Sequence, residues 1–341
     1  MKSKFLFLVI SCFVTRILFA QSSENKVEQH QFTIAFGSCN KVGEPNPFWG
    51  QISKIQPDLF IWGGDNIYAD TGNMRKMKAM YNAQNANPAY AKVKQEIPIM
   101  ATWDDHDYGK NDAGKNWRKK EKSQQLFLDF IGVAKNDSRR NRAGVYHSKI
   151  FEKNGKTVKI IVLDTRYFRS DLTPSPIPRR RYGPAPDSSG TILGEQQWQW
   201  LEGELNGSSA DYNIIVSSIQ MLSGEHGFET WGNFPKEVDR FLSLLKSSAA
   251  KRVIVLSGDR HISEFSKMNM SKLNYPLIDF TSSGLTHAYT AFNGEPNTYR
   301  VGDVIAERAF GLLDINLESD TVIFQIIGSH AQTLEKLTQK Y

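Results

Sequence analysis

The sequence predicts an α/β fold with a ligand site at the carboxyl ends of its strands. Three observations support this fold class: short apolar runs alternate with amphipathic helical patterns, the runs are mostly continuous, and most of them end in glycines and polar or charged residues. Continuous apolar runs are typical of strands buried on both faces. In α/β proteins, ligands bind in the crevice at the carboxyl ends of such strands.

Seven apolar runs are predicted strands, and their exits carry most of the polar chemistry. In chain order they are FTIAF (32–36) before GSCN, DLFIW (58–62) before GGDNIY, IPIMATW (97–103) before DDHD, TVKIIVLD (157–164) before TRYF, NIIVSSIQ (213–220), RVIVLS (252–257) before GDRH, and PLIDF (276–280) before TSSG. Further on, FGLLDINLE and TVIFQII flank a Ser-Asp pair as the strands of a hairpin would. The sheet system is therefore expected to be mixed.

Three amphipathic patterns between the strands predict helices, at 123–133, 193–205 and 234–246. In the third, Val238, Phe241 and Leu245 share one face, and Pro235 stands near the start, where proline is favoured. The segment 167–191 is rich in Pro, Ser and Arg, and it is long enough to be a lid or a rim.

The first residues have the layout of a secretory signal peptide. Lys2 and Lys4 precede an apolar stretch that ends near Ala20, so we expect a signal peptide at 1–20 and a single domain at 21–341. This predicts a secreted or periplasmic protein; a lipid anchor at Cys12 is the alternative. No other apolar run is long enough to span a bilayer.

The net charge and its local clusters indicate which classes of partner the sequence favours. The formal charge of the whole chain is +6, and loss of Lys2, Lys4 and Arg16 with the signal peptide would leave +3, so net charge does not argue for nucleic acid. Local basic clusters at 75–78, 118–120, 139–140 and 179–181 are either solvated faces or a rim that attracts anionic substrates.

After cleavage, Cys39 would be the only cysteine, so an internal disulfide could not form. It is then a buried apolar side chain, a reactive thiol or a metal ligand. A free thiol in an exported protein would be exposed to oxidation, which favours the ligand.

The polar residues at the strand exits form a candidate constellation of Cys39, Asp65, Tyr68, Asp105, His106, Asp107, Asp259 and His261. Each alone is more simply a helix cap, a turn residue or a packed side chain. Together they are harder to explain in that way, because neighbouring carboxylates repel unless cations neutralise them. The sequence has no G-x-S-x-G, Walker, G-x-G-x-x-G or H-E-x-x-H motif. The constellation favours a metal centre.

The segments FGSCN, GGDNIYAD, TWDDHDYGKND, LDTRYFRSDL, LGEQQWQWL, WGNFPKE and LSGDRHISEF resemble the PhoD-like alkaline phosphatases, a branch of the calcineurin-like metallophosphoesterases. The resemblance covers residues 36 to about 265. It implies a four-layer αββα sandwich with two mixed β-sheets and a metal site at the strand C-termini. It also implies hydrolysis of phosphate monoesters, diesters or both by in-line attack of a metal-bound hydroxide. Two departures stand out. The superfamily motifs D-x-H, GNH and GHxH are replaced by GSC, DDH and GDRH, and the first predicted strand follows the expected signal peptide almost at once, where some members have a separate N-terminal β domain.

By position, the resemblance places Fe³⁺ on Cys39, Asp65, Tyr68 and His261, and one or two Ca²⁺ ions on Asp65, Asp105 and Asp259. The donor types agree: thiolate and phenolate suit a trivalent ion, and an all-oxygen anionic set suits Ca²⁺. On this assignment Asp65 bridges the two metals.

Roles for the remaining polar residues follow from their positions beside these ligands. His106 is assigned as general acid, oriented by Asp107. Arg166 binds a substrate phosphate or pairs with Asp164, and Asn111 is a weaker metal or substrate contact. His226 and His287 are expected to be loop residues, with a place in the pocket lining as the alternative. Asp70 is either a helix cap or an acid that contacts a metal ligand.

Three readings compete with a general phosphoesterase. They are a diester-specific, phospholipase-D-like enzyme, a non-catalytic exported binder of phosphate or a polyanion, and a surface protein with structural Ca²⁺. The expected partner is a phosphorylated small molecule or a phosphodiester, with nucleic acid only as a possible substrate and no obligate protein partner implied.

Overall fold

The structure, a computed structural model, describes residues 30–186 and 189–341. The predicted signal peptide and Cys12 lie outside the described residues. Within the described ranges, no helix combines the length and apolar character needed to cross a bilayer.

Six strands form the first sheet, in the spatial order β15-β14-β13-β1-β2-β3. Their bounds are Gln31–Gly37 (β1), Leu59–Gly63 (β2), Ile99–Thr102 (β3), Ala309–Asn316 (β13), Thr321–Gly328 (β14) and Thr333–Lys340 (β15). Strands β1, β2 and β3 are parallel, while the β1–β13, β13–β14 and β14–β15 pairs are antiparallel. The sheet is therefore mixed, as expected.

Seven strands form the second sheet, in the order β12-β10-β11-β9-β8-β5-β4. Their bounds are His147–Lys153 (β4), Lys156–Val162 (β5), Tyr212–Val216 (β8), Val253–Ser257 (β9), Ser263–Met268 (β10), Leu277–Ser282 (β11) and Arg300–Ile305 (β12). Strands β5, β8, β9 and β11 are parallel, and antiparallel strands close both edges.

The helices and a two-stranded ribbon complete the described fold. The helices are Phe48–Ile55 (α1), Met74–Ala86 (α2), Pro88–Glu96 (α3), Asp105–Tyr108 (α4), Lys120–Phe130 (α5), Gly194–Asn206 (α6) and Pro235–Ser247 (α7). Single 3-10 turns lie at Ser138–Arg140 and Trp231–Asn233, and Thr173–Pro174 (β6) pairs with Tyr182–Gly183 (β7) inside the 167–191 segment.

The side chains of the central strands alternate between two packing faces, which sets the layer order. In β2, Phe60 and Trp62 pack with the aromatic side chains of α1, α3 and α5, whereas Ile61 faces the second sheet. In β5, Ile160 faces the first sheet and Ile161 packs under α6 and α7. Successive strand residues point to opposite faces, so each sheet is buried on both sides. The result is the expected four-layer αββα sandwich.

All seven predicted strands are present; β8 is shorter than expected and ends at Val216. The β4–β5 hairpin was missed, although its two-residue loop is Asn154–Gly155 with positive φ at both positions, the signal of a tight hairpin turn. Strand β15 was also missed, because its sequence TLEKLTQK is a polar edge strand without an apolar run.

Candidate metal centre

The parallel strands of both sheets end at one side of the sandwich, and their exit loops meet there. Cys39 follows β1, Asp65 follows β2, Asp104 and Asp105 follow β3, and Asp259 follows β9. The parallel arrangement of the strands thus brings the predicted ligands together without any long loop.

The first group of donor atoms surrounds Asp65. Its Oδ2 lies 3.5 Å from Cys39 Sγ and 3.2 Å from Tyr68 Oη. Tyr68 Oη is in turn 3.0 Å from His261 Nε2. The ligand atoms of Cys39, Asp65 and His261 all lie within 4.8 Å of one another, so a single ion could contact them together. The structure brings together the four residues predicted to hold the first metal.

The second group consists of four carboxylates, those of Asp65, Asp104, Asp105 and Asp259, with oxygens within 4.8 Å of one another. Asp104 was not predicted; it is fully buried and adjoins the predicted ligands. Asp105 Oδ1 and Asp104 Oδ2 are buried and have no hydrogen-bond partner in the described structure. Buried carboxylates this close together are either protonated or neutralised by a cation. The group therefore fits a hard metal ion.

The pKa values of these side chains also favour a site for cations. Burial, then the negative charges of Cys39 and Asp105, raise the pKa of Asp65 well above its usual range. Burial likewise raises the pKa of Asp259 well above its usual range and that of the Cys39 thiol to about 12. Burial, together with His287, lowers the pKa of His261 to about 3, so its imidazole is neutral and free to ligate. Only added positive charge would let these acids ionise together.

Four of the predicted ligands have positive backbone φ angles. Cys39, Asp65, Asp259 and His261 have φ values of 61°, 51°, 67° and 55°, in the left-handed region that non-glycine residues seldom adopt. Such conformations persist where the surrounding fold over-determines them, and they cluster at functional sites. Gly64 also has a positive φ, of 104°, which favours glycine. There is in addition no room for a side chain, because a Cβ there would lie 2.7 Å from Asp104 Cβ.

His106 sits at the edge of the two groups and is held by Asp70. Its Nδ1 is 2.8 Å from both carboxylate oxygens of Asp70, and its ring lies over that of Tyr68 with centroids 4.1 Å apart. The prediction that Asp107 orients His106 is wrong. The Asp107 carboxylate is buried and accepts from the backbone N–H of Asp104 and the side-chain amide of Asn66.

The pKa of His106 reflects this setting. Burial by itself would lower it, but the hydrogen bond to Asp70 and the charges of Asp105 and Asp104 outweigh burial and raise it. The pKa of Asp105 is held below its usual range although burial opposes this, because Arg166, His106 and the backbone N–H of Asp112 favour its charged form.

Arg166 is buried and bound by acids. Its guanidinium forms ion pairs with Asp104 and Glu229, the latter at 2.6 Å, and not with Asp164, which instead accepts from the backbone N–H of Arg166. Only Nη2 has no partner in the described structure. The assignment of Arg166 to substrate stays a prediction; the structure shows it as a counter-ion of Asp104. Burial outweighs the charge of Arg166 and raises the pKa of Asp104 to about 7.

A pocket of about 510 Å³ opens over the carboxylate group. Asn111 lies on its wall, together with Arg260, Phe228 and Tyr289. Arg181 and Tyr182 of the 167–191 segment also line it. Tyr182 Oη donates to Asp112 Oδ2 at 2.7 Å, and Arg181 pairs with the same oxygen at 2.8 Å. This part of the segment thus contributes to the rim of the pocket.

Comparison with known proteins agrees with this geometry. The family model of the PhoD-like phosphatases matches residues 34–300. The chain belongs to this family. Alkaline phosphatase D of Bacillus subtilis (strain 168) is 25% identical over 277 residues, which are 70% of this chain and 47% of that protein. The chain therefore spans about half the length of this curated relative.

Solved structures show the same fold. A structure of PhoD superposes with a TM-score of 0.69 at 18% identity, covering 91% of this chain and 68% of the other. GAP50, described as the anchor in the inner membrane complex of Plasmodium, gives 0.58 at 13% identity, covering 92% and 89%. A dimetal phosphatase from Danio rerio gives 0.55 at 13% identity, covering 91% and 99%. At these identities the likeness concerns the fold alone.

Four residues of this PhoD-like site escaped sequence reasoning or were left without a role: Asp70, Asp104, Asp112 and Glu229. Asp70 and Asp104 stand inside the motifs GGDNIYAD and WDDHD, so their proximity was visible, but their partners were not. Glu229 gave no local signal, since its contact with Arg166 joins residues 63 positions apart.

Proposed function

We propose that this chain is a metal-dependent phosphoesterase that hydrolyses phosphate monoesters, diesters or both. The observation that carries the proposal is the sharing of Asp65 between two donor groups of different chemistry, with a histidine–aspartate pair beside them. Membership of the PhoD-like phosphatases supports it.

In this proposal, Cys39, Asp65, Tyr68 and His261 hold Fe³⁺, and Asp65, Asp105 and Asp259 hold one or two Ca²⁺ ions. The buried, unpartnered Oδ1 of Asp105 and the anionic donor sets fit these ions. When bound, the metals would supply positive charge for the phosphoryl oxygens and make a water more acidic.

The chain's own residues orient the substrate and hold the proton that the leaving oxygen takes up. Asp70 accepts from Nδ1 of His106, which leaves Nε2 as the atom that carries the proton for the leaving oxygen. The raised pKa of His106 keeps that proton in place at higher pH than an ordinary imidazole would. Asn111 on the pocket wall is positioned to contact the substrate, and Arg166 acts through Asp104.

The second candidate function is a non-catalytic binder of phosphate. The His106–Asp70 pair favours the hydrolase, because a binder has no use for an oriented proton donor next to the metal donors.

The function is tested by initial rates on an aryl phosphate monoester and the matching diester, at alkaline pH with Ca²⁺ present. We expect turnover of at least one substrate, complete loss after chelation, and recovery when iron and calcium are restored. A metal-loaded protein that turns over neither substrate would exclude the phosphoesterase and favour the binder.

We further propose that the protein is secreted or periplasmic, which rests on the leader-like residues 1–20. The mass of the mature chain tests this: cleavage near Ala20 supports it, and a chain retaining residues 1–20 would contradict it.

A further inference from the structure

A short segment that follows β11 lies against the first group of donor atoms, although none of its residues is a proposed metal ligand. Strand β11 ends at Ser282, and the segment comprises residues 283–289. We call it the β11 exit segment. Its contacts with the proposed ligands indicate a role in holding them.

Hydrogen bonds fix the β11 exit segment to loops of both sheets. The backbone N–H and the Oγ1 of Thr286 both donate to the carbonyl of Cys39, at 3.3 Å and 3.2 Å. The backbone N–H of Tyr289 donates to the carbonyl of His261 at 2.7 Å. Cys39 follows β1 of the first sheet, and His261 lies between β9 and β10 of the second. The segment therefore joins the two halves of the donor group.

The ring of His287, in the same segment, packs on two further sides of the group. Its centroid is 4.4 Å from that of His261 and 5.0 Å from that of Tyr68, and both pairs are close to perpendicular. Edge-to-face packing of this kind restrains ring orientation. The segment thus contacts Cys39, Tyr68 and His261.

The most specific contact is made by the hydroxyl of Ser283, which is fully buried. It accepts from the backbone N–H of His261 at 2.8 Å and lies 3.0 Å from Cys39 Sγ. In the described structure, this sulfur is the one acceptor within reach of the hydroxyl proton. Ser38 Oγ is farther from the sulfur, at 3.8 Å, and lies nearer to the carbonyl of Ser282. Ser283 is therefore the hydroxyl that donates to Cys39.

This hydrogen bond suits a thiolate better than a thiol. A neutral thiol is a weak acceptor, whereas a hydrogen bond to a charged acceptor is shorter and stronger. A distance of 3.0 Å between Ser283 Oγ and Cys39 Sγ fits the charged form, which is the form that binds a metal.

A second buried serine shows how a hydroxyl acts when it serves the fold alone. Ser217 Oγ donates to the carbonyl of Ile219 at 2.7 Å and accepts from Trp231 Nε1 at 3.0 Å. Ser283 also donates one hydrogen bond and accepts another, but its acceptor is the sulfur of a proposed ligand. Groups that hydrogen-bond to metal ligands orient them and tune the metal.

We propose that Ser283 is a positioning residue of the first metal site: its hydroxyl holds the Cys39 sulfur at a fixed place relative to His261 and draws negative charge away from that sulfur. This rests on the proposed function, in which these residues hold Fe³⁺. Hydrogen bonds to a ligating sulfur change the reduction potential of a metal site. Because the bond stabilises charge on the sulfur, it favours the reduced ion.

The test compares iron-loaded wild type with Ser283→Ala and with the control Ser217→Ala. Both changes remove a fully buried hydroxyl that donates one hydrogen bond and accepts another, but only Ser283 contacts proposed ligands. Ser283→Thr, which keeps a hydroxyl, serves as the rescue. Circular dichroism of the metal-free proteins checks that each variant folds.

In Ser283→Ala we expect the preference for Fe³⁺ over Fe²⁺ to rise about tenfold, at the lower end of what loss of such a contact causes. For a one-electron couple this lowers the reduction potential by about 59 mV. The thiolate–iron absorption band should move to longer wavelength, because the sulfur gives up charge more easily. Ser283→Thr should restore both properties, and Ser217→Ala should leave both unchanged.

An unchanged potential and band in folded, iron-loaded Ser283→Ala would overturn the proposal, as would equal shifts in Ser217→Ala. If Ser283→Ala does not fold, the iron–sulfur stretching frequency of wild type and Ser38→Ala decides. Resonance Raman spectra of both should shift in D₂O, because the proton on the sulfur comes from Ser283. No shift, or a shift lost in Ser38→Ala, would overturn it.

Loading with Co²⁺ separates this inference from the iron assignment. If wild type takes up no iron but binds Co²⁺ with a thiolate band that Ser283→Ala moves, the Fe³⁺ assignment is wrong and the role of Ser283 is supported. If wild type binds neither ion through Cys39, both fail.

Discussion

Asp65→Asn is expected to lower kcat/KM by at least about a thousandfold, the upper end of what loss of one electrostatic contact causes. The reason is that Asp65 belongs to both donor groups: Oδ2 lies beside Cys39 and Tyr68, and the same carboxylate lies among Asp104, Asp105 and Asp259. The amide cannot replace the charge that, in the proposed function, binds two cations. Steady-state kinetics with metal analysis of the variant measure the effect.

A matched control is Asp58→Asn, at the opposite end of the same strand, where the carboxylate pairs with Lys153. This variant should keep its metals and its activity. The expectation for Asp65 fails if Asp65→Asn retains both metals and a kcat/KM near that of wild type.

The same substitution has an opposite effect on the metal-free fold. Because the pKa of Asp65 is raised in the folded state above 3.8, the folded metal-free protein loses stability as the pH rises above that value. Asp65→Asn removes this ionisation, so its free energy of unfolding should fall less with rising pH. Urea titrations of the chelated proteins at several pH values measure the difference.

His106→Asn is expected to lower kcat by about 10²- to 10⁴-fold on an alkyl phosphate, the usual contribution of a positioned general acid. An aryl phosphate, whose leaving oxygen is stable without a proton, should be affected much less. Metal content should remain, because the imidazole of His106 is not among the proposed ligands. Equal losses on the two substrates would contradict the general-acid role.

Asp70→Asn tests whether the Asp70 carboxylate raises the pKa of His106. The Asp70 carboxylate, 2.8 Å from Nδ1, helps to raise the pKa of His106. Its loss lowers that pKa, so the protonated form disappears earlier as the pH rises. The alkaline limb of the kcat profile should therefore move to lower pH, whereas an unchanged profile would show that Asp70 is only structural.

The sequence predicted which side chains would meet at this site because they directly follow strands. Once parallel strands are recognised, their exits must meet, and Cys39, Asp65, Asp105 and Asp259 stand within a few residues of β1, β2, β3 and β9. No loop conformation had to be guessed for them.

The predictions that were wrong concern residues in loops and contacts between residues that are far apart in the sequence. His106 and Asp70 are 36 positions apart and meet only because the backbone N–H groups of Ala69 and Asp70 donate to the carbonyl of His106. Asp107, adjacent in sequence, is instead turned into the core by the helical turn of α4. For Arg166, the alternative of an ion pair with Asp164 was wrong, because the acids that its guanidinium binds come from two other loops.

The central claim, that two dissimilar metals share Asp65, is tested most directly by metal analysis of the purified protein together with its visible spectrum. We predict one iron and at least one calcium per chain, and an iron–phenolate absorption band that Tyr68→Phe removes. A colourless protein without iron, or a band that survives in Tyr68→Phe, would contradict the account.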